Sequence, residues 1–188
     1  MANELTFRKL AFRFSKHQKE KHMFTTIQSF VNTWKFESEF TMKYISSLTD
    51  ESLSVKPNEK VRSAGFLAWH MIHTVSEMMN KTGLAVEGKD QQNYNGETVE
   101  ELKKEWQRSS DSLIREITTK WTDADLMKED NMYGENWKRG TTLNILITHM
   151  VHHRGQLSVV MRLNGIKVPG IYGPSQEEWT QYGQPAML

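Results

Sequence analysis

The chain has 188 residues, the size of one domain, with 24 Lys or Arg against 23 Asp or Glu and a formal net charge of +1. So even a balance supplies no field to hold a polyanion against salt, which disfavours nucleic-acid binding. Apolar runs such as Gly65–Trp69 and Leu143–Ile147 fall far short of the about 20 residues that span a bilayer. Cysteine is absent, which removes disulfides, thiolate metal ligands and a protein thiol nucleophile, and fits a reducing, cytoplasmic setting.

Residues 1–22 carry six Lys or Arg and two Glu, with Phe7, Leu10, Ala11 and Phe14 at helical spacing. They are expected to form a basic, solvated N-terminal arm, distinct from a domain at 23–188. The charges are not followed by the apolar segment that a secretory signal needs.

From Met23 onward helical periods dominate. Ile27, Phe30, Val31, Trp34, Thr41, Ile45 and Leu48 mark a first helix, with Glu37 on its buried stripe. Ser63 is a plausible N-cap for a second helix, which carries Phe66, Leu67, Trp69, His70, Met71, His73, Thr74 and Met78 and stops at Gly83. Gly88, Asn93, Asn95 and Gly96 make 84–97 a connection. Thr98 and Glu101 have capping-box spacing at the head of a third helix with Val99, Leu102, Trp106, Leu113 and Ile117 inward.

Residues 122–140 are charged and lack a clear period, whereas 141–163 are again apolar and helical, stopped by Gly165 and Pro169. The Val168–Pro174 stretch, rich in Gly and Pro, reads as a short C-terminal extension ending in a capped turn at Ser175–Trp179. No strand pattern of comparable strength is present, so the expected fold is all-α, an up-and-down four-helix bundle.

Five of the seven histidines fall in two groups, His70 with His73 and His149 with His152 and His153. His149 and His153 stand one helical turn apart on one face, the geometry in which two imidazoles share one cation. A third imidazole must come from a facing helix, and spacing alone does not choose between His70 and His73. Three imidazoles without a thiolate leave a coordination position open, as in catalytic rather than structural zinc sites.

The run His149-Met150-Val151-His152-His153-Arg154-Gly155-Gln156 resembles the signature of the DinB-like, or YfiT-like, family of metal-binding bundles. In that family a late helix carries His-x-x-x-His running into His-Arg-Gly-Gln. Gly65-Phe66-Leu67-Ala68-Trp69-His70 is similar to the family's second-helix ligand segment, and the Pro- and Gly-rich tail is found in a subset of members. The likeness spans residues 23 to about 180. It implies a four-helix bundle, one divalent ion (zinc or nickel foremost) on His70, His149 and His153, frequent homodimers, and a link to bacterial stress responses.

Three functions follow as expectations. A bound ion activates water, giving a metal-dependent hydrolase of a small-molecule substrate. Alternatively it binds a low-molecular-weight thiol as thiolate, giving an S-transferase of the bacillithiol-dependent kind that the resemblance includes. The third is a non-enzymatic metal-binding bundle whose ion serves the fold. Met150 follows His149, so the His-Glu-x-x-His base of metalloproteases is missing. Candidates for a catalytic role are Glu77, His152 and Gln156; Glu37 is the other acid weighed as a base, and Arg154, pointing away, is expected to anchor the bundle on a carboxylate.

Overall fold

The computed structural model describes residues 23–90 and 94–185. The arm expected at 1–22 lies outside these described residues. Four helices make the body: α1 (Ile27–Ser46), α2 (Ala64–Asn80), α3 (Val99–Lys120) and α4 (Arg139–Leu163). Each of the first three starts where a side chain takes up an orphan amide. Thr26 accepts from Ser29 N, Ser63 from Phe66 N, and Thr98 from Glu101 N, while the Glu101 carboxylate accepts from Thr98 N. Such a cap is worth about 1 kcal/mol.

The bundle is the one the sequence leads one to expect; its path differs. α1 runs antiparallel to α3, since the Trp106 indole donates to Ser38 O (3.1 Å) at one level and Ile27 N donates to Asp123 (2.8 Å) at the other. α1 runs parallel to α4, because Phe24 N donates to Gly140 O (3.1 Å) at their starts and Arg154 meets Glu37 further along both. α2 opposes α4: Arg139 reaches Thr82 O (3.1 Å) and His149 reaches His70 (3.2 Å). α2 and α3, although consecutive, run parallel, so the directions are up, down, down, up rather than alternating.

The connection after α2 makes this possible. It doubles back along the helix as a strap: Asn80 donates to Val86 O (3.0 Å), His73 lies against Lys89 O (3.1 Å), and the Tyr94 ring sits 5.9 Å from Trp69. Seventeen helical residues are about 25 Å long, a span that about eight extended residues cover. Gly88 lets the strap lie flat, since a Cβ there would collide with the Ser76 side chain.

The stretch without a period, 122–140, also differs from expectation. It forms a 3-10 turn at Asp123–Met127 and then a hairpin, β1 (Glu129–Met132) antiparallel to β2 (Glu135–Lys138). Tyr133 and Gly134 both have positive φ (57° and 90°), as a two-residue hairpin turn needs. Met132 and Trp137 are the buried side chains of the pair. The C-terminal extension closes with a 3-10 turn at Gln176–Tyr182, capped by Ser175 and Glu178.

One continuous core joins all four helices around Trp34, Trp69 and Trp106, each fully buried. Replacing one of these rings by alanine should cost about 3–5 kcal/mol. Among the described residues, no helix is long and apolar enough to cross a membrane.

Candidate metal centre

α2 and α4 face each other across His70, His149 and His153. His70 lies in the second turn of α2, its ring parallel to that of Phe66 (4° apart, centroids 6.4 Å). On α4 the His149 and His153 rings stand one turn apart and meet edge-on, with centroids 4.3 Å from each other and 5.3 Å and 4.5 Å from His70. The next residue, Arg154, points about 100° further round the helix, toward Glu37 on α1, and is wholly buried.

The three rings converge by their nitrogens. His149 Nε2 and His70 Nε2 are 3.2 Å apart, and one nitrogen from each of the three lies within 4.8 Å of the others. Two imidazoles bound tetrahedrally at 2.0–2.1 Å hold their nitrogens about 3.3 Å apart, so the cluster fits a divalent transition metal. His153 Nδ1 donates to Gln156 Oε1 (2.8 Å), which leaves Nε2 as its lone-pair nitrogen. Gln156 Nε2 in turn donates to His152 Nε2 (3.0 Å). The exposed His152 is thus wired to the site through Gln156.

Burial favours the neutral form of His149 and His153, the form a metal needs. Burial, then the neighbouring His153, His70, His152 and Arg62, holds the His149 imidazole down at about 3. His153 is lowered mainly by burial, against an opposing contribution from its Gln156 bond, with His152 and Arg62 adding to the lowering.

Other candidates are placed elsewhere. His73 turns to the strap through Lys89 O, so the structure brings His70 and not His73 to the pair on α4. Glu77, two turns along α2 from His70, accepts from the Tyr133 hydroxyl (2.5 Å) and pairs with Lys81 (3.1 Å). Burial, and then Glu77, raises the Tyr133 phenol well above its ordinary value, which keeps it a donor. Glu37 is taken up by Arg154 and Tyr172. Nη2 of Arg154 pairs with the Glu37 carboxylate, Nη1 donates to Glu37 O (2.7 Å), and the Tyr172 hydroxyl donates to the carboxylate (2.8 Å to Oε2) while accepting from Nη2 (2.7 Å). The anchoring expected of Arg154 is therefore present. Its partner Tyr172 is sent in from the Pro- and Gly-rich tail that the family resemblance includes, but nothing in the sequence pairs it with Glu37.

The model of the DinB family matches residues 23–187. The chain belongs to the DinB family. It is 34% identical over 164 residues to the uncharacterized protein YrdA of Bacillus subtilis (strain 168), covering 87% of this chain and 98% of that one. Among solved structures it is similar to a DinB-like protein from Bacillus cereus ATCC 10987, with a TM-score of 0.76 and 32% identity over 80% of this chain and all of that one. The fold is shared with the DinB-like YjoA of Bacillus subtilis, with a TM-score of 0.59 and 22% identity over 76% of this chain and 97% of that one. The parallel α2 and α3, the strap and the three converging histidines are thus described on a DinB-family bundle.

Proposed function

We propose that this DinB-family chain is a divalent-metal-dependent S-transferase acting with a low-molecular-weight thiol, its ion, zinc or nickel, held by His70, His149 and His153. When bound, the ion supplies Lewis acidity that turns a coordinated thiol into its thiolate at neutral pH. The observation that carries the reading is a three-imidazole cluster in which burial favours neutral His149 and His153, with no carboxylate among the charges acting on either. Activating water calls for a base, and the two candidate acids are engaged elsewhere, Glu37 by Arg154 and Glu77 by Tyr133 and Lys81. A thiol ionises far more readily than water and makes less demand on a base. In the transfer the sulfur forms a bond to an electrophilic carbon, the leaving group departs with its bonding pair, and the thiol proton passes to solvent beside the exposed His152. Gln156 fixes the His153 ring throughout.

A second reading, metal-dependent hydrolysis, is favoured by one observation: an exposed imidazole, His152, stands at the site's edge, linked through Gln156 to His153. The test is one series. Cobalt-substituted protein should show a sulfur-to-metal charge-transfer band on adding a small thiol, and conjugation of that thiol to an electrophile should vanish in His153→Ala. Ester hydrolysis without band or conjugation would replace the transferase by the hydrolase. Loss of all three, with four protein ligands on the ion, would make the ion an element of the fold alone. We further propose a homodimer, supported by Val159 and Leu163, which leave apolar surface exposed on α4. Light scattering at micromolar concentration checks this, and a monomer there would overturn it.

A further inference from the structure

Arg62 is the permanent charge that acts on both His149 and His153. Arg62 is exposed and sits one residue before the Ser63 cap of α2. Its guanidinium carbon lies 5.3 Å from the centroid of Phe66, whose ring is parallel to that of His70. Guanidinium, phenyl and imidazole therefore form three successive layers leading to the cluster. A cation over an aromatic face keeps its outward N–H groups available. Among the described residues no carboxylate pairs with Arg62, whereas Arg108, Arg115, Arg139, Arg154 and Arg162 are each paired with one.

A cation without a carboxylate partner, held beside a site for a second cation, is repelled once the metal is bound. The arrangement becomes favourable once an anion lies between the two. We propose that Arg62, seated on Phe66, is the specificity-determining residue of the centre and selects ligands that carry an oxyanion, such as a carboxylate, remote from the atom that reaches the metal. This rests on the open metal site of the proposed function and adds the charge class of what enters it. A planar fork of donors is suited to a carboxylate or a phosphate alike.

The test compares two metal-binding probes on the cobalt-loaded protein, acetohydroxamate and the monohydroxamate of succinate, which share a chelating group and differ by a distal carboxylate. The visible cobalt spectrum gives both affinities, without recourse to activity. The succinate probe should bind about five- to tenfold more tightly to the wild type, and the preference should shrink as salt is raised. Arg62→Gln should bring the ratio to about one with acetohydroxamate binding and cobalt content unchanged, and Arg62→Lys should keep part of it. Equal affinities in the wild type, or a preference that survives Arg62→Gln, would overturn the inference and leave the open metal site standing. If neither probe perturbs the spectrum, the coordination position is closed, and the inference falls together with the proposed function.

Discussion

Two polar clusters sit one residue apart on α4 and are built on opposite principles. Arg154 looks toward α1 and meets a carboxylate, a backbone carbonyl and a phenol; its Nε alone lacks a hydrogen-bond partner among the described residues. His153 looks toward α2 and meets two further imidazoles whose lone pairs point at one place. The first cluster pairs opposite charges within the protein. The second gathers acceptors and supplies no acid to them. A buried polar group is affordable only when its needs are met, so the balanced cluster reads as architecture and the unbalanced one as a seat for something cationic.

Breaking the balanced cluster should have the largest effect. Arg154→Met leaves Glu37 buried without its cation and should destabilise the fold by about 3–5 kcal/mol, a fall of roughly 10 °C in Tm for a chain this size. Adding Glu37→Leu to it should recover much of the loss, since the orphaned charge is then gone. Thermal melts of the two variants check this, and a double variant no better than the single one would mean that packing, not charge, dominates.

The histidine cluster should respond to ligand rather than to isolation. At a hundredfold excess over Kd, zinc should stabilise the wild type by about 2.7 kcal/mol. His149→Ala, His153→Ala and His70→Ala should each abolish that gain and the stoichiometric binding, while His73→Ala keeps both. A His73→Ala variant that loses the metal would move the third ligand by one turn of α2.

Acid should separate the clusters next. The folded His149 imidazole titrates at about 3, and the unfolded one near 6.5. Between these values the unfolded chain holds a proton that the folded chain does not, so metal-free stability falls as pH drops through the window and is insensitive to this group above it. His153, also lowered, adds in the same direction. Melts of metal-free protein from pH 7 to pH 4 should show the slope, and His149→Phe should flatten it. Tyr172→Phe should have the smallest effect, about 1 kcal/mol, because the hydroxyl it removes belongs to a side chain 60% exposed; zinc affinity should not change.

Much of this was legible in the residues. Ser63 and the Thr98–Glu101 box mark helix starts by local chemistry, and the one-turn spacing of His149 and His153 needs no tertiary information. Spacing leaves His70 and His73 open, the likeness of the Leu67-Ala68-Trp69-His70 segment points to His70, and the fold adds the reason, a strap whose Lys89 carbonyl occupies His73. The hairpin has too little contrast to show in the sequence. Only Met132 and Trp137 are buried in it, and an aromatic residue, Tyr133, occupies a turn position usually given to Asn, Asp or Gly. The parallel run of α2 and α3 was hidden because a connection's length permits a return path without requiring one.

That return path bears on how the chain folds in time. Neither α1 nor α4 can zip onto its sequence neighbour from a tight turn: α1 meets α3 about 70 residues away and α4 more than 110 away, and His70 and His149 are separated by 79. Distant pairings of this kind slow folding relative to helical proteins with local contacts. The histidines of α2 and α4 come together only when α4, the last of the four helices to leave the ribosome, has docked on α2. Zinc should therefore leave the folding rate nearly untouched and act on the unfolding limb of the chevron, lengthening the life of the folded state.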